Sequence, residues 1–510
     1  MAASDRPNSN VCRAPSPFDG SKPADIIFAT SDNVDFYLLK GILIIASPFF
    51  ADMFSLAQPA KPLMGELDRI TVAEDSATIE NLMRLCYPVA HPHIASFSLL
   101  GKVLEAAMKY QIDAATDTLK ATFRNFIVET PLECFAEASR LRLMDEAAQA
   151  AKAWKARMGP LTDAALEFTS TIAGGSYIPE MDVISAADYF HFLQFLRSSG
   201  DEVYATRATK SAFPPGTLKT PWSIPSGVNA DYILHSSDNV AYPVHSVVLR
   251  LARADKLLCS APVQHNDSGK IEIALDLDSS AIHALLNFCY PRTSESRPNN
   301  LRDLVQILAA ARKYGMQEVA NLAQVDMMKH AHTEPLSTYF LARLNGWADE
   351  AEDAARHAIL GGIRDVYVYE MEEAPASIYH TLLHFQHLSQ AAVRRIIASH
   401  APSSDASLWR VGLTVHRGIL PASLSLPLID QMVRESGTWA GQQRQCHICH
   451  IYCPYLFGDT CPNCQATGTR LAKMLTTQSV MESNIKDALK QISLPIPVYT
   501  HGTSQGPPGP

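Results

Sequence analysis

Apolar and polar residues alternate between residues 25 and 39, and a polar turn sequence, Ser31-Asp32-Asn33, interrupts the alternation near its middle. Alternation on both sides of such a turn predicts a β-hairpin. The apolar stretch that follows, Leu39 to Phe54, is broken at Ser47-Pro48 and predicts two short helices. The pattern therefore begins with a hairpin and continues with a helix pair.

A strand and a series of helices come next. Ile70 and Val72 predict a short strand. Asp75-Ser76 supplies a helix cap, apolar residues then recur at helical spacing, and Pro88 ends the predicted helix. Ala-rich helical patterns continue to about residue 158. Helices grouped on a small sheet in this order predict an α+β domain.

This pattern occurs twice along the chain, in the same order and with only small changes in length. The second copy of the hairpin turn lies 206 residues after the first. A repeat of this length predicts two units of one fold. The matched segments are Ser31-Asp32-Asn33-Val34 with Ser237-Asp238-Asn239-Val240, Asp75-Ser76 with Asp278-Ser279, Cys86-Tyr87-Pro88 with Cys289-Tyr290-Pro291, Lys109-Tyr110 with Lys313-Tyr314, and Glu180-Met181, Tyr189 and Phe195 with Glu370-Met371, Tyr379 and Phe385.

The landmarks of the first copy resemble those of a known family. Ala24-Asp25-Ile26-Ile27, the stretch Ser47 to Phe54, Cys86-Tyr87-Pro88 and Ala107 to Tyr110 are similar to the BTB/POZ domain, in the form found in fungal BTB proteins. The resemblance covers about residues 23–130 and 229–332. It implies binding modules that self-associate, some of which bridge substrates to cullin ubiquitin ligases.

Each copy departs from the family pattern at one place. The family has a His after the second strand, which the second copy keeps at His245, whereas the first copy has Leu39. The second copy has Arg253-Ala254-Asp255-Lys256 in place of the Ser-Pro-Phe-Phe sequence. The second copy is therefore the more divergent one.

Composition shifts and the ends of the repeat predict the domain boundaries. Pro214-Pro215-Gly216 lies in a Pro- and Gly-rich stretch between the copies that is typical of a linker. The predicted organisation is a disordered leader (1–22), a first BTB/POZ-like unit (23–130), appended helices (131–200), a linker (201–228), a second unit (229–332), appended helices (333–401), a cysteine-rich zinc module (402–475), a helix (476–494) and a disordered tail (495–510).

Charge and hydropathy exclude several classes of protein. The formal net charge is −9 without any long basic run, which disfavours a general nucleic-acid binder. No stretch approaches the roughly 20 apolar residues that cross a bilayer, and the first residues lack a signal sequence. These features predict a protein of the cytosol or nucleus, where thiols stay reduced.

Five of the ten cysteines fall close together near the C-terminus. Cys446-x-x-Cys449 and Cys461-x-x-Cys464 supply two thiolate pairs, which is the ligand set of a closed tetrahedral zinc site. The spare donors Cys453, His447 and His450 leave open an exchange of the fourth ligand. The alternative is a set of reduced surface thiols without metal. The spacing does not suit a RING domain, and the context does not suit a redox Cys-x-x-Cys.

The remaining chemical motifs have structural interpretations. Cys86 and Cys289 are predicted as small core residues at helix ends. His380, His384 and His387 fall close to helical spacing and are predicted to lie on a solvated helix face. No phosphate-binding glycine loop and no pair of catalytic residues emerges. The chain is therefore predicted to be non-enzymatic.

A short triplet bears on partners. Met64-x-Glu66 precedes the Ile70 strand, in a region where cullin-binding BTB domains often carry an apolar-x-Glu triplet. The leading prediction is a scaffold or adaptor that binds other proteins, through self-association or through pairing of its two copies. The alternatives are a substrate receptor of a cullin ligase and, third, a transcriptional or chromatin regulator. Few basic residues flank the cysteines, so nucleic acid is not an expected partner.

Overall fold

The structure is a computed structural model of the chain. It describes residues 12–56, 67–158, 177–198, 230–258, 264–265, 270–290, 300–361, 363–400, 483–484 and 487–495. The chain divides into two compact units. The first comprises residues 1–161, 176–184 and 195–206, and the second comprises residues 162–175, 185–194 and 207–510.

The four strands described in the first unit form one sheet, in the order β1 (Cys12–Arg13), β3 (Val34–Leu38), β2 (Ile26–Ala29), β4 (Asp68–Thr71). Strands β2 (Ile26–Ala29) and β3 (Val34–Leu38) form the predicted hairpin, with Ile26 opposite Leu38. Asn33 takes a φ of 62° in the turn, a conformation that Asn tolerates better than most residues. Strand β4 (Asp68–Thr71) pairs in parallel with β2. The hairpin and the short strand are thus confirmed.

Residues 12–22 correct part of the predicted leader. Strand β1 (Cys12–Arg13) pairs in parallel with β3 and so covers an edge of the sheet. Phe18 is 1% exposed, and its ring lies 5.1 Å from the ring of Tyr87. The Phe18 carbonyl also accepts the backbone N–H of Tyr37. Because these contacts are distant in sequence, the polar and Pro-rich local pattern did not predict them.

Where the pattern predicts a helix boundary in the first copy, at Ser47-Pro48, at Asp75-Ser76 and before Pro88, the structure confirms it. Ser47 caps the second helix through its hydroxyl, which accepts the N–H of Phe50, and Asp75 caps the third by accepting the N–H of Thr78. The third helix ends at Cys86, just before Pro88. The helices are α1 (Lys40–Ala46), α2 (Pro48–Ser55), α3 (Ser76–Cys86), α4 (Phe97–Lys109), α5 (Asp113–Phe126), α6 (Pro131–Arg140) and α7 (Met144–Met158).

The second unit repeats this arrangement. Its strands are β5 (Tyr232–His235), β6 (Ala241–Val244), β7 (Gln264–His265) and β8 (Ile271–Ala274). They form a sheet in the order β6-β5-β8-β7, in which β5 pairs antiparallel with β6 and parallel with β8, as β2 pairs with β3 and β4. The helices are α9 (Ser246–Leu251), α10 (Asp255–Leu258), α11 (Ser279–Cys289), α12 (Leu301–Lys313), α13 (Gln317–Thr333), α14 (Pro335–Leu344), α15 (Ala348–Gly361) and α16 (Ala376–His400).

One helix lies in an unexpected place. Helix α8 (Ala186–Arg197) follows the first copy in sequence, yet residues 185–194 belong to the second unit. There the backbone N–H of Ala186 donates to the carbonyl of Ala374 at 2.7 Å. The rings of Tyr189 and Tyr379, which are corresponding residues of the repeat, lie 6.1 Å apart. Aromatic packing of this kind stabilises the contact beyond the area that it buries.

Asp145-Glu146-Ala147 matches Asp349-Glu350-Ala351 in the repeat, and the glutamate is buried and paired in both copies. Glu146 accepts a hydrogen bond from Arg124 at 2.6 Å, and Glu350 accepts hydrogen bonds from Arg312 and Gln324. A buried carboxylate needs such partners, because an unpaired one is costly to desolvate. The appended helices of each copy are therefore tied to the helices before them by an ion pair.

Near the C-terminus a short helical turn covers residues 487–491. It falls within the helix predicted at 476–494, of which only residues 483–484 and 487–494 are described. The cysteine-rich segment and its candidate ligands lie outside the described residues.

Candidate protein-interaction surfaces

The start of α1 is held by two side chains from elsewhere in the first unit. The backbone N–H of Leu39 donates to the Tyr87 hydroxyl at 2.8 Å, and the N–H of Lys40 donates to the Asp25 carboxylate at 2.6 Å. The first N–H groups of a helix have no intrahelical acceptor, so these two bonds satisfy them. Asp25 and Tyr87, which belong to the motifs that resemble the BTB/POZ domain, therefore position α1.

The second copy holds α9 in the same way. The N–H of His245 donates to the Tyr290 hydroxyl at 2.8 Å, and the N–H of Ser246 donates to Asp231 at 2.7 Å. The ring Nδ1 of His245 also lies 3.1 Å from the Tyr290 hydroxyl. The His that the first copy lacks thus adds one contact to an otherwise shared arrangement.

Helices α1 and α9 present apolar side chains to solvent at corresponding positions. Ile45 is 88% exposed, and its counterpart Leu251 is 78% exposed. Val247 on α9 is 61% exposed, and Ile44 on α1 is 43% exposed. Single exposed apolar residues are common on protein surfaces, but these recur on the same helix of both copies. The two helices are therefore candidate surfaces for protein partners.

The Ser-Pro-Phe-Phe sequence of the first copy begins α2, the helix that follows α1. The Ser47 hydroxyl donates to the carbonyl of Tyr110 at 2.5 Å, which joins α2 to the end of α4. The rings of Phe49 and Phe50 lie 5.6 Å and 5.1 Å from the Tyr110 ring. This motif and the later Lys109-Tyr110 motif thus meet in one aromatic cluster, which supports the helix pair.

Glu74 connects the strand side of the first unit to the same cluster. It accepts hydrogen bonds from the Lys109 ammonium and the Tyr110 hydroxyl, both at 2.7 Å. Burial acts to raise the pKa of Glu74, but the two hydrogen bonds and the charge of Lys109 outweigh burial and lower it. Burial and the nearby Glu74 raise the pKa of Tyr110. Glu74 is therefore ionised at neutral pH and holds the end of α4.

The two cysteines of the Cys-Tyr-Pro motif behave as structural residues. Both are half-buried, at the ends of α3 and α11. Burial raises the pKa of the Cys86 thiol to about 11 and that of Cys289 to about 12. Thiols with such pKa values stay protonated at neutral pH, and the thiolate is the nucleophilic form.

Of the three histidines on α16, His384 is exposed and His387 is half-buried. His380 corrects the prediction of a solvated face, because its ring packs against Tyr189 and its Nδ1 lies 3.4 Å from the Tyr189 hydroxyl. Burial lowers the pKa of His380 to about 4, so the ring is neutral at physiological pH.

The residues predicted to bind metal and cullin lie outside the described part of the chain. These are Cys446, Cys449, Cys461 and Cys464 for zinc, with Cys453, His447 and His450 as spare donors, and Met64 and Glu66 for cullin. Among the residues that the structure does describe, no three or more His, Cys, Asp or Glu side chains form a group that could hold a metal ion. No helix in that part of the chain has the length and apolarity to cross a membrane.

Comparison with known proteins agrees with the repeat. The family model of the BTB/POZ domain matches the chain twice, over residues 16–126 and 225–331. The first match includes residues 16–22, in keeping with their packing against the sheet. No curated protein matches the chain. The chain thus carries a BTB/POZ domain, which is a protein-interaction fold, at two positions along its length.

Proposed function

We propose that this protein is a non-enzymatic scaffold or adaptor of the cytosol or nucleus, which brings other proteins together through its two BTB/POZ domains. The observation that carries the proposal is the pair of exposed apolar positions, Ile45 and Leu251, at corresponding places in the two copies. Neither side chain contributes much to its own core. Each keeps most of its apolar surface for a partner, and apolar burial is the main driving force of protein association.

The support of α1 and α9 also favours a binding role. At the start of each helix, a tyrosine hydroxyl from elsewhere in the same unit accepts a backbone N–H. A surface held in this way before binding loses little conformational freedom when a partner docks, and that lowers the entropic cost of association. The partner is either a second copy of such a domain or another protein.

The test is affinity purification of the tagged protein from its native cells, followed by mass spectrometry. We expect Ile45→Asp and Leu251→Asp each to lose a subset of partners, because each places a charge at the centre of an apolar contact. Asn125→Asp is the matched control, since it adds the same charge at an exposed position on α5. If both variants retained every partner of the wild type, α1 and α9 would not be the binding surfaces.

A finer form of the proposal is a substrate receptor of a cullin ubiquitin ligase. The sequence triplet Met64-x-Glu66 supports it, as does the resemblance to cullin-binding BTB domains. The same purification decides the question when Glu66→Ala is added. Cullin that co-purifies with wild type and is lost with Glu66→Ala would support the receptor. If no cullin co-purified with wild type, the receptor proposal would be wrong and the general scaffold proposal would be unaffected.

We also propose a structural zinc ion at Cys446, Cys449, Cys461 and Cys464, because the two Cys-x-x-Cys pairs supply four thiolates. Elemental analysis of the purified protein should give about one zinc per chain, and replacement of the four cysteines by serine should remove it. If the metal persists in that variant, these four thiolates are not its ligands.

A further inference from the structure

Arg356 on α15 contacts a segment more than a hundred residues away in sequence. Its guanidinium donates to the backbone carbonyl of Leu489 and, at 3.0 Å, to that of Ile492. A longer contact of 3.4 Å reaches the carbonyl of Lys490. One side chain of the second unit therefore contacts three carbonyls near the end of the chain.

These carbonyls lie at the end of the helical turn 487–491. The last carbonyls of a helix have no intrahelical donor and carry partial negative charge. A guanidinium suits them, because it is always positive and presents five N–H donors in a planar fork. Arg356 thus supplies a C-terminal cap from another part of the chain, although the local sequence has no glycine at that place.

The second unit orients this guanidinium. Glu352, one helical turn earlier on α15, forms an ion pair with Arg356. The guanidinium carbon lies 5.9 Å from the ring centroid of Phe385, a fully buried residue of α16. A carboxylate and an aromatic face both favour a cation held in one orientation. The surface that receives residues 487–495 is therefore built by α15 and α16.

Residues 487–495 have the two-sided character of a docked segment. Leu494 is buried at 8% exposure, and Leu489 and Ile492 are half-buried. Lys490 and Ser493 between them are exposed. Apolar side chains thus face the protein and polar ones face solvent, as expected for a peptide bound to a folded surface.

We propose that Arg356, Glu352 and Phe385 form a peptide-docking site on the second unit, and that residues 487–495 are its ligand within the same chain. The site recognises the end of a helical turn that is followed within three residues by an apolar side chain. This docking goes beyond the scaffold role, since it uses neither α1 nor α9. It also fixes residues 487–495, which follow the cysteine-rich segment in sequence, onto α15 and α16.

Binding of a fluorescein-labelled peptide of residues 483–497 to the full-length protein tests the site. We expect weak binding to wild type, because the chain's own segment occupies the site. Leu494→Asp in the protein should release that segment and strengthen peptide binding at least tenfold. Addition of Arg356→Gln to that variant should reverse the gain, since glutamine lacks the charge and the planar fork.

Two controls make the experiment decisive. Lys490→Ala in the protein should leave peptide binding as weak as in wild type, because only the backbone carbonyl of Lys490 is used. Hydrogen exchange in otherwise unaltered protein gives a second measurement, in which Arg356→Gln should raise the exchange of residues 489–495 alone. Equal peptide binding to wild type and Leu494→Asp, or unchanged exchange in Arg356→Gln, would overturn the proposal.

Discussion

Tyr87 and Tyr290 explain why a tyrosine stands between cysteine and proline in both copies. Each hydroxyl accepts the backbone N–H at the start of the helix that carries the exposed apolar residues. A phenylalanine would fill the same space but leave that N–H without this partner. The loss of one such hydrogen bond typically costs about 1 kcal/mol. The motif is therefore tied to the candidate interaction surface, although its side chains are not part of it.

We expect Tyr87→Phe to loosen α1 and Tyr290→Phe to loosen α9. A cost of about 1 kcal/mol corresponds to about fivefold faster amide exchange by local opening. Hydrogen exchange followed by mass spectrometry would measure each helix separately, as one global unfolding curve could not. Tyr37→Phe removes a hydroxyl from the same sheet and should leave α1 unchanged. Exchange at α1 unaltered by Tyr87→Phe would contradict this role.

The ionisation of Glu74 makes the free energy of unfolding fall as the pH falls. Its pKa is lowered from the ordinary value of 4.5, so folding favours its ionised form. The stabilisation is complete above pH 4.5 and is lost as the pH falls through the lower folded pKa. The free energies of unfolding of wild type and Glu74→Gln should thus differ most near pH 7, and the gap should narrow below pH 4.5. Denaturant titrations at several pH values measure this difference in the free energy of unfolding. A difference that stayed constant with pH would contradict the role of Glu74.

At the same scale, the sequence predicts some residues well and others not at all. Asp75 and Asp278 are visible as helix caps because capping depends on neighbours within three residues. Arg356 stands in the Ala-rich stretch of α15, where a basic residue is typical of a solvated face. Its role depends on residues 489–492, and no local pattern encodes a contact so distant. The exposure of Ile45 could not be predicted either, because α1 is apolar on most of its surface and its sequence does not show which apolar residues are buried.

At the scale of elements, the repeat predicts which helices exist and where they start, because each copy carries its own caps, turns and prolines. It does not predict which unit a helix joins. The residues Tyr189 and Tyr379 match in the repeat, and the structure places both in the second unit, with their rings in contact. The local sequence does not predict β1 either, because its two residues form a strand only by pairing with the open edge of β3. Elements follow from local sequence, whereas their partners follow from the folded surface.

At the scale of the whole molecule, the position of residues 185–194 has a testable consequence. They precede the predicted linker (201–228) in sequence but belong to the second unit. A protease site placed within 201–228 would therefore leave part of the second unit attached to the N-terminal fragment. Tyr189 and Phe190 are 1% and 5% exposed, so they are buried contacts that the cut leaves intact. We expect the two fragments to elute together in size-exclusion chromatography after complete cleavage.

Tyr189→Asp should separate the fragments, because it places a carboxylate among buried aromatic rings at a cost of several kcal/mol. Val183→Asp is the matched control, since it adds the same charge at a position that is 56% exposed, and its fragments should stay together. Separation of the wild-type fragments would mean that residues 185–194 do not hold the second unit together. Co-elution that only Tyr189→Asp abolishes would show that this short segment of the first half is an integral part of the second unit.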